Sequence, residues 1–550
     1  VVHARTSRPC DAFVAARLGV LLLGALPLQA ASDWRAWEAA RVRLHVARIE
    51  LLERVYRNSW RDLSIASANE NATLNDALRN LSGNDAPAWP LGIQVDAYIS
   101  SVDDSAQPFV RYLPPNWTPG KAAPLLIFLH GYSPVSDRFN LPFFPENLIR
   151  VADRTGACIV APFGRGNTDF QGIGEQDVLR VMDEMQVRYG TDPSRVVLIG
   201  YSMGGLGAWC IAARHPQRFN AVMVLAGRGD FYVWHKLKPA ELPPWQRRLV
   251  DVQFASAWTH QLKTTPILAV HGQDDSLVSF VEGQAIFDKV APHNPNARFI
   301  AQSLGDHGTP VEMLTNAVGT AWLDLNLTVT NARTVVSRVR VGETGSRLQN
   351  ALQQPFVMVG GTDGAMDFDA QRRLDARANE WLRFAHGKPR TALEPLLSAR
   401  QTDELNLFVF GEPESSFLIR RIFRKNGVSW TPEIFRIGTR VFPRADHGLW
   451  FTAPNPFNTN RTAVVQCGIP WGATISDNHR YDRIPDVMVY TGEPDLYGAN
   501  LAVAAGFVGA DGTIAWSEPA TTPAIKPKPV LFDFYEMKWS KDKVKSPLAD

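Results

Sequence analysis

An excess of charge of either sign is missing from this chain: 57 Lys and Arg stand against 55 Asp and Glu, a formal net of +2. Such a balance gives no basic footprint for nucleic acid and no polybasic patch for a membrane surface. Cysteine is scarce, with 4 residues in 550. Cys10 lies near the N-terminus, while Cys158, Cys210 and Cys467 each sit in or beside an apolar run. Their spacing suits neither a disulfide framework nor a zinc site. They read as buried small hydrophobes, with a Cys158–Cys210 bridge left open. C-x-x-C and H-E-x-x-H are both absent, and Gly164-Arg165-Gly166 lacks the third glycine of a dinucleotide loop. Asp363, Asp367 and Asp369 are too incomplete a set for a calcium loop and read as solvated turn residues. No metal or cofactor is therefore expected. No short-period repeat is visible.

What is present begins with an address. Arg5, Arg8 and Arg17 precede an apolar run at residues 18–28, followed by the small residues Ala30, Ala31 and Ser32. A basic region, a short apolar region and a small-residue exit predict a secretory signal peptide over residues 1–31, cut near Ala30 or Ala31. The run is about half the length that spans a bilayer, so a mature protein without a membrane span, secreted or periplasmic, is expected. Hydrophobic residues make up 45% and charged residues 20%, the proportions of a globular protein. The length asks for more than one domain.

Residues 32–91 read as a helical segment (33–61) and a polar linker. From residue 92 short apolar runs alternate with helical patterns up to 325. This predicts an α/β domain with a mostly parallel sheet flanked by helices, since strands buried on both faces carry continuous apolar runs. Residues 326–349 form a β-rich connector, the strand-like pattern starting at 324. Residues 350–495 give a second, smaller α/β domain, and 496–550, with Pro519, Pro523, Pro527 and Pro529, a strand-poor extension.

Three segments of the first domain carry chemistry, in a telling order. Gly200-Tyr201-Ser202-Met203-Gly204 fits G-x-S-x-G, directly after the apolar run 195–200 and directly before a helical pattern. That context suits a tight strand-to-helix turn that lifts a serine hydroxyl above a sheet edge. An ordinary β-α turn with glycines is the plainer alternative. His271-Gly272-Gln273-Asp274-Asp275 follows the next-to-last strand of the domain. Asp275 fits the H-G-x-x-D-x-x-V spacing with Val278, while Asp274 and, after the preceding strand, Asp230 compete as the acid. Gly305-Asp306-His307-Gly308 follows the last strand and offers His307 between flexible residues. The order Ser, Asp, His is that of a nucleophile-elbow hydrolase. Asp446-His447-Gly448 repeats the tripeptide, but far outside the first sheet. For an oxyanion, the N–H of Met203 and that of Tyr132 are the expected donors, with Gly131 as the second choice for the latter. Between Asp230 and Thr265 stand Phe231, Tyr232, Trp234, Trp245, Phe254 and Trp258. Phe231, Trp234 and Trp258 are candidates to line a substrate pocket, or these aromatics pack an insertion onto the sheet. Trp209 reads as core.

YLPPNWTPGKAAPLLIFLHGYS, YGTDPSRVVLIGYSMGGLGAW, HPQRF, HGQDDSLVSF and GDHG together make residues 92–323 resemble the secreted esterase branch of α/β hydrolases, which includes feruloyl and acetylxylan esterases and polyhydroxyalkanoate depolymerases. The resemblance implies the α/β-hydrolase fold and a triad of Ser202, Asp275 and His307. It implies carboxylic ester cleavage, with feruloyl, acetyl or polyester substrates and so an ester partner, polymers included. Residues 350–495 (FGEPESSFLIRRI, PNPFNTNR) resemble a segment appended to some secreted bacterial hydrolases, with no function attached. Two alternatives use the same residues differently. One is a prolyl-oligopeptidase-type peptidase, whose usual large propeller ahead of the catalytic domain has no counterpart in residues 32–91. The other is a surface- or polymer-binding protein with a vestigial hydrolase domain.

Overall fold

The computed structural model describes residues 91–517 except 135–140, 142–143, 329–344, 473 and 496–497. The signal peptide, the helix at 33–61 and the linker expected before residue 91 lie outside the described residues. Among those described, no helix is long and apolar enough to cross a membrane.

Eight strands form the first sheet: β1 (Gly92–Ile99), β2 (Ala106–Leu113), β3 (Ala123–Leu129), β4 (Cys158–Pro162), β5 (Thr191–Tyr201), β6 (Ala221–Leu225), β7 (Ile267–Gly272) and β8 (Ala297–Gln302). Their spatial order is β1-β2-β4-β3-β5-β6-β7-β8. β2 runs antiparallel to β1 and β4, and β4 through β8 are parallel. β3 and β6 are buried along their whole length, as expected of strands covered on both faces. Between them run α1 (Asn147–Thr155), α2 (Ile173–Tyr189), α3 (Met203–Arg214), α4 (Phe231–His235), α5 (Pro244–Gln253), α6 (Phe280–Val290) and α7 (Ala317–Thr328). On one face, Leu148 and Val151 of α1 and Leu323 and Leu327 of α7 pack with Leu126, Val197, Met223 and Leu268 of the sheet. The mostly parallel, helix-flanked sheet expected for this segment is thus the one that forms.

α7 overturns one expectation. Residues 324–328 alternate in a strand-like way, yet they end a helix. The pattern was ambiguous because Leu323 and Leu327 are four apart and share the buried face.

The second sheet holds β9 (Phe356–Gly360), β10 (Thr391–Leu393), β11 (Asn406–Phe410), β15 (His447–Pro454), β16 (Thr462–Gly468), β17 (Val487–Pro494), β18 (Asn500–Val508) and β19 (Ile514–Ser517), with a small sheet of β12 (Val428–Trp430), β13 (Ile434–Ile437) and β14 (Arg440–Pro443) beside it. Its order is β10-β9-β11-β16-β15-β17-β18-β19. The first four strands are parallel and the rest antiparallel. α8 (Arg347–Leu352), α9 (Phe368–Ala385), α10 (Ala399–Glu404) and α11 (Phe417–Lys425) complete it. Here too a reading is corrected. Residues 498–517 are no strand-poor extension, because β18 and β19 extend the sheet past residue 495. The Gly and Ala positions of β18 masked its strand character in sequence.

The two sheets share a core. Val102, Ile173, Trp245 and Leu249 of the first segment pack in one apolar cluster with Phe356, Trp381, Trp450 and Tyr481 of the second. Buried polar groups tie the same seam. Arg165 Nη1 reaches Asp103 Oδ2 at 2.9 Å and donates to the Ala385 carbonyl at 2.9 Å, while the Trp381 indole N–H donates to Asp103 at 3.0 Å.

Candidate active site

The register of the parallel strands puts the C-terminal ends of β5 to β8 on one edge. Tyr201 is opposite Leu225, Leu225 opposite Val270, and Gly272 opposite Gln302. Ser202 follows β5 at that edge and begins α3. Its φ of 57° lies in the left-handed region, and its N–H donates to the Leu225 carbonyl at 2.9 Å. A non-glycine residue held there stores strain. The flanking glycines make it feasible. A Cβ on Gly200 would stand 2.1 Å from the Gly204 carbonyl oxygen, and one on Gly204 would stand 2.0 Å from that of Leu129.

His307 reaches the serine from the loop after β8. Its Nε2 is 2.8 Å from Ser202 Oγ, and its Nδ1 is 2.7 Å from Asp275 Oδ2. The loop is braced by Asp306, which accepts from the Gly308 and Thr309 N–H groups at 2.9 and 3.0 Å. The Asp274 N–H donates to the Gly305 carbonyl at 2.9 Å, which ties the acid loop to the histidine loop. Asp274 itself is exposed, so Asp275 is the carboxylate on the histidine.

Asp275 is fully enclosed. Oδ1 accepts from the Leu277 and Val278 N–H groups, both at 2.9 Å, and Oδ2 has His271 Nε2 at 3.2 Å besides His307. Burial by itself would raise its pKa. The hydrogen bonds from His271, His307 and Val278 outweigh burial and hold the carboxyl well below its usual range. A charged Asp275 fixes the imidazole with Nε2 free to accept from the serine.

The loop after β3 supplies the opposite wall. A Cβ on Gly131 would lie 3.4 Å from the Ser202 Cβ. His130 is enclosed with Nδ1 2.8 Å from the Gly131 carbonyl and Nε2 3.1 Å from that of Phe163. Burial lowers its pKa, so the ring is neutral and has one N–H. The Tyr132 N–H belongs to the same planar peptide as the Gly131 carbonyl beside His130 Nδ1, and so points to the side opposite that carbonyl. Met203 is the first residue of α3, where an N–H has no partner within the helix. Met203 thus adjoins Ser202 along the chain, and Gly131 faces it from the loop after β3.

Other sequence candidates lie elsewhere in the packing. Phe231 is 0% exposed, with ring centroids 5.0 Å from Phe254 and 4.2 Å from His235. It packs as core rather than pocket lining, because the side chain has no exposed surface to offer a substrate. Trp258 is half-buried and spends its indole N–H on the Val252 carbonyl at 3.0 Å. Trp234 stacks on His235 at 4.4 Å, with the Arg228 guanidinium 4.4 Å above it. Asp230 caps α4 and pairs with Lys289, a structural use. His447 hydrogen-bonds its neighbour Asp446 at 2.6 Å within the second sheet. Trp209 is buried, and Cys158, Cys210 and Cys467 are buried free thiols. Asp363, Asp367 and Asp369 bind Arg420, the α9 N-terminus and Arg372.

His271 was missed as a working residue, although a histidine four residues before the acid was the available signal. Glu282 was missed as well. It pairs with Arg228 at 3.1 Å and lies within the electrostatic reach of His271 and Asp275.

The prolyl oligopeptidase family model matches residues 165–320, which contain Ser202, Asp275 and His307. A dipeptidyl-peptidase 5 from Porphyromonas endodontalis is 25% identical over 227 residues, 36% of this chain and 30% of that protein. A bifunctional acetylxylan esterase/xylanase from Neocallimastix patriciarum is 28% identical over 180 residues, 31% of this chain and 22% of that protein. The chain thus spans less than a third of either relative. An S-formylglutathione hydrolase structure from Agrobacterium tumefaciens aligns at 18% identity with a TM-score of 0.33, over 43% of this chain and 95% of its own.

Proposed function

Because residues 92–328 are an α/β-hydrolase domain of the serine-hydrolase type, we propose that the protein cleaves carboxylic esters through an acyl-enzyme on Ser202. One observation carries the reading: the unbroken hydrogen-bond chain from Asp275 through His307 to Ser202 on a strained turn. In the first half-reaction His307 Nε2 takes the Ser202 proton as Oγ attacks the carbonyl carbon. The carbonyl oxygen becomes an oxyanion between the Met203 and Tyr132 N–H groups, each worth roughly 3 kcal/mol of barrier. The C–O bond breaks, and His307 returns the proton to the leaving alcohol. Water then attacks the acyl-serine with the same proton relay, releasing the acid and Ser202. Asp275 stays ionised throughout and stabilises the imidazolium.

A second reading, hydrolysis of peptide bonds by the same steps, is favoured by the prolyl oligopeptidase match and the dipeptidyl-peptidase relative. p-Nitrophenyl butyrate and aminoacyl p-nitroanilides assayed in parallel separate the two. In either case Ser202→Ala should lower kcat by about 10³-fold or more, with circular dichroism unchanged. Full activity in that variant, or no labelling of Ser202 by a fluorophosphonate, would end the proposal. Export belongs to the same reading, carried by residues 1–31. N-terminal sequencing of the mature protein, starting at Ala31 or Ser32, tests it.

A further inference from the structure

Asp169 lies where the two sheets meet, and its carboxyl makes no hydrogen bond or ion pair among the described residues, although the residue is only 4% exposed. A carboxyl with so little exposure and no protein donor is costly to keep. Burial pushes its pKa up, and the opposing pull of His479, Arg228 and Arg483 leaves it raised.

Its chain neighbour packs against the helix that begins at Ser202. The next residue, Phe170, packs edge-on against His130 at 5.0 Å, and a Cβ on Gly207 of α3 would lie 2.6 Å from the Phe170 Cβ. Asp169 thus adjoins a residue that packs on the loop holding Gly131 and Tyr132. On the other flank, Gly227 Cα would be 2.6 Å from a Cβ on Gly205, three residues or about 4.5 Å along the helix from Ser202. Arg228 follows at once, and its partner Glu282 connects to the Asp275 side. The second domain closes from outside. His479, Asp482 and Arg483, between β16 and β17, lie within electrostatic reach of Asp169, and the Arg483 guanidinium is 5.7 Å from the Phe231 ring. Two of the neighbouring cations have carboxylate acceptors of their own: Arg228 has Glu282, and His479 has Asp482 at 2.9 Å. The group left without a partner is an acceptor.

We propose that Asp169 is a specificity-determining residue whose carboxyl takes a hydrogen-bond donor, an ammonium or a hydroxyl, carried by the substrate within a few atoms of the scissile carbonyl. The proposal rests on the Ser202 reading above. A site built to hold such a group discriminates strongly against the analogue that lacks it. It also gives the second domain a part in the reaction, as the outer wall of this subsite.

The test uses p-nitrophenyl esters of butyrate, 2-hydroxybutyrate and 2-aminobutyrate with the full chain. The wild type should favour one or both donor-bearing esters over butyrate in kcat/KM. Asp169→Ala should lower that ratio about 10- to 100-fold through KM. Asp169→Asn, which keeps shape and one acceptor, should retain part of the hydroxyl preference and lose the ammonium preference, telling the two donors apart. It also serves if Asp169→Ala does not fold. A ratio unchanged in both variants, or a wild type indifferent to the three esters, overturns the proposal. Ser202→Ala assayed alongside keeps the outcomes distinct. Butyrate turnover lost in Ser202→Ala with an unchanged Asp169 ratio removes the subsite alone. Butyrate turnover surviving Ser202→Ala removes the reading beneath it.

Discussion

Asp275 and Asp274 are neighbours of the same type, yet one is enclosed by four donors and the other faces solvent. The difference comes from where the turn after β7 bends. Gly272 packs against Gly305, with no room there for a Cβ, and the Asp274 N–H is bound to the Gly305 carbonyl, leaving Asp275 to turn inward. His271 is the residue that completes the setting, buried beneath the carboxylate with Nε2 near both Asp275 and the Val278 carbonyl. It touches no reacting atom and acts by positioning Asp275. His271→Ala should therefore lower kcat roughly 10- to 100-fold with little change in KM. It should also shift the acid limb of the kcat profile, which a merely structural loss would leave in place. A kcat and pH profile equal to wild type would remove this role.

Among the elements, the start of α2 is braced against the end of α3. Glu175 near the start of α2 pairs with Arg214, the last residue of α3, and with His215 Nε2 at 2.6 Å. Burial opposes ionisation of Glu175, but Arg214 and His215 dominate and bring its pKa down to about 2. In the unfolded chain a glutamate titrates near about 4.3. The folded state is thus favoured by this group above about pH 4.3, and the advantage drains away as pH falls toward about 2. Glu175→Gln should lower Tm most at neutral pH, with the gap to wild type closing through that window. Thermal melts from pH 2 to 7 check this, and a gap independent of pH would contradict it.

At the scale of the whole molecule, the seam between the sheets is both apolar and ionic. Asp103 is 0% exposed and holds Arg165, itself 1% exposed, together with the Trp381 indole of α9. Removing one partner of a buried pair strands the other charge. Asp103→Ala should cost about 3–5 kcal/mol. Because one apolar cluster spans both sheets, the wild type should melt in a single calorimetric transition and Asp103→Ala in two. Two transitions in the wild type would show that the seam does not couple the sheets.

Much of this was legible in the sequence. The spacing of Ser202, Asp275 and His307 and the apolar runs of β3, β5 and β6 are local properties, written in strand propensity and in glycines that permit a tight turn. The β-rich reading of 324–328 and the strand-poor reading past residue 495 failed because burial of a face is decided by what packs there. The same holds for Phe231, whose aromatic character suited either a pocket or a packed insertion and whose neighbours made it core.

By itself the chain determined its strand-helix alternation, the elbow at Ser202 and the order of the three polar residues, since these follow from near-neighbour sterics and periodicity. Only the tertiary structure decided which aspartate meets His307, that His271 lies beneath it, and that Asp169 lies within electrostatic reach of His479 and Arg483 across a seam more than three hundred residues apart in sequence. Those relations depend on distances between segments far apart along the chain, and such distances exist only once both sheets have packed on their shared core.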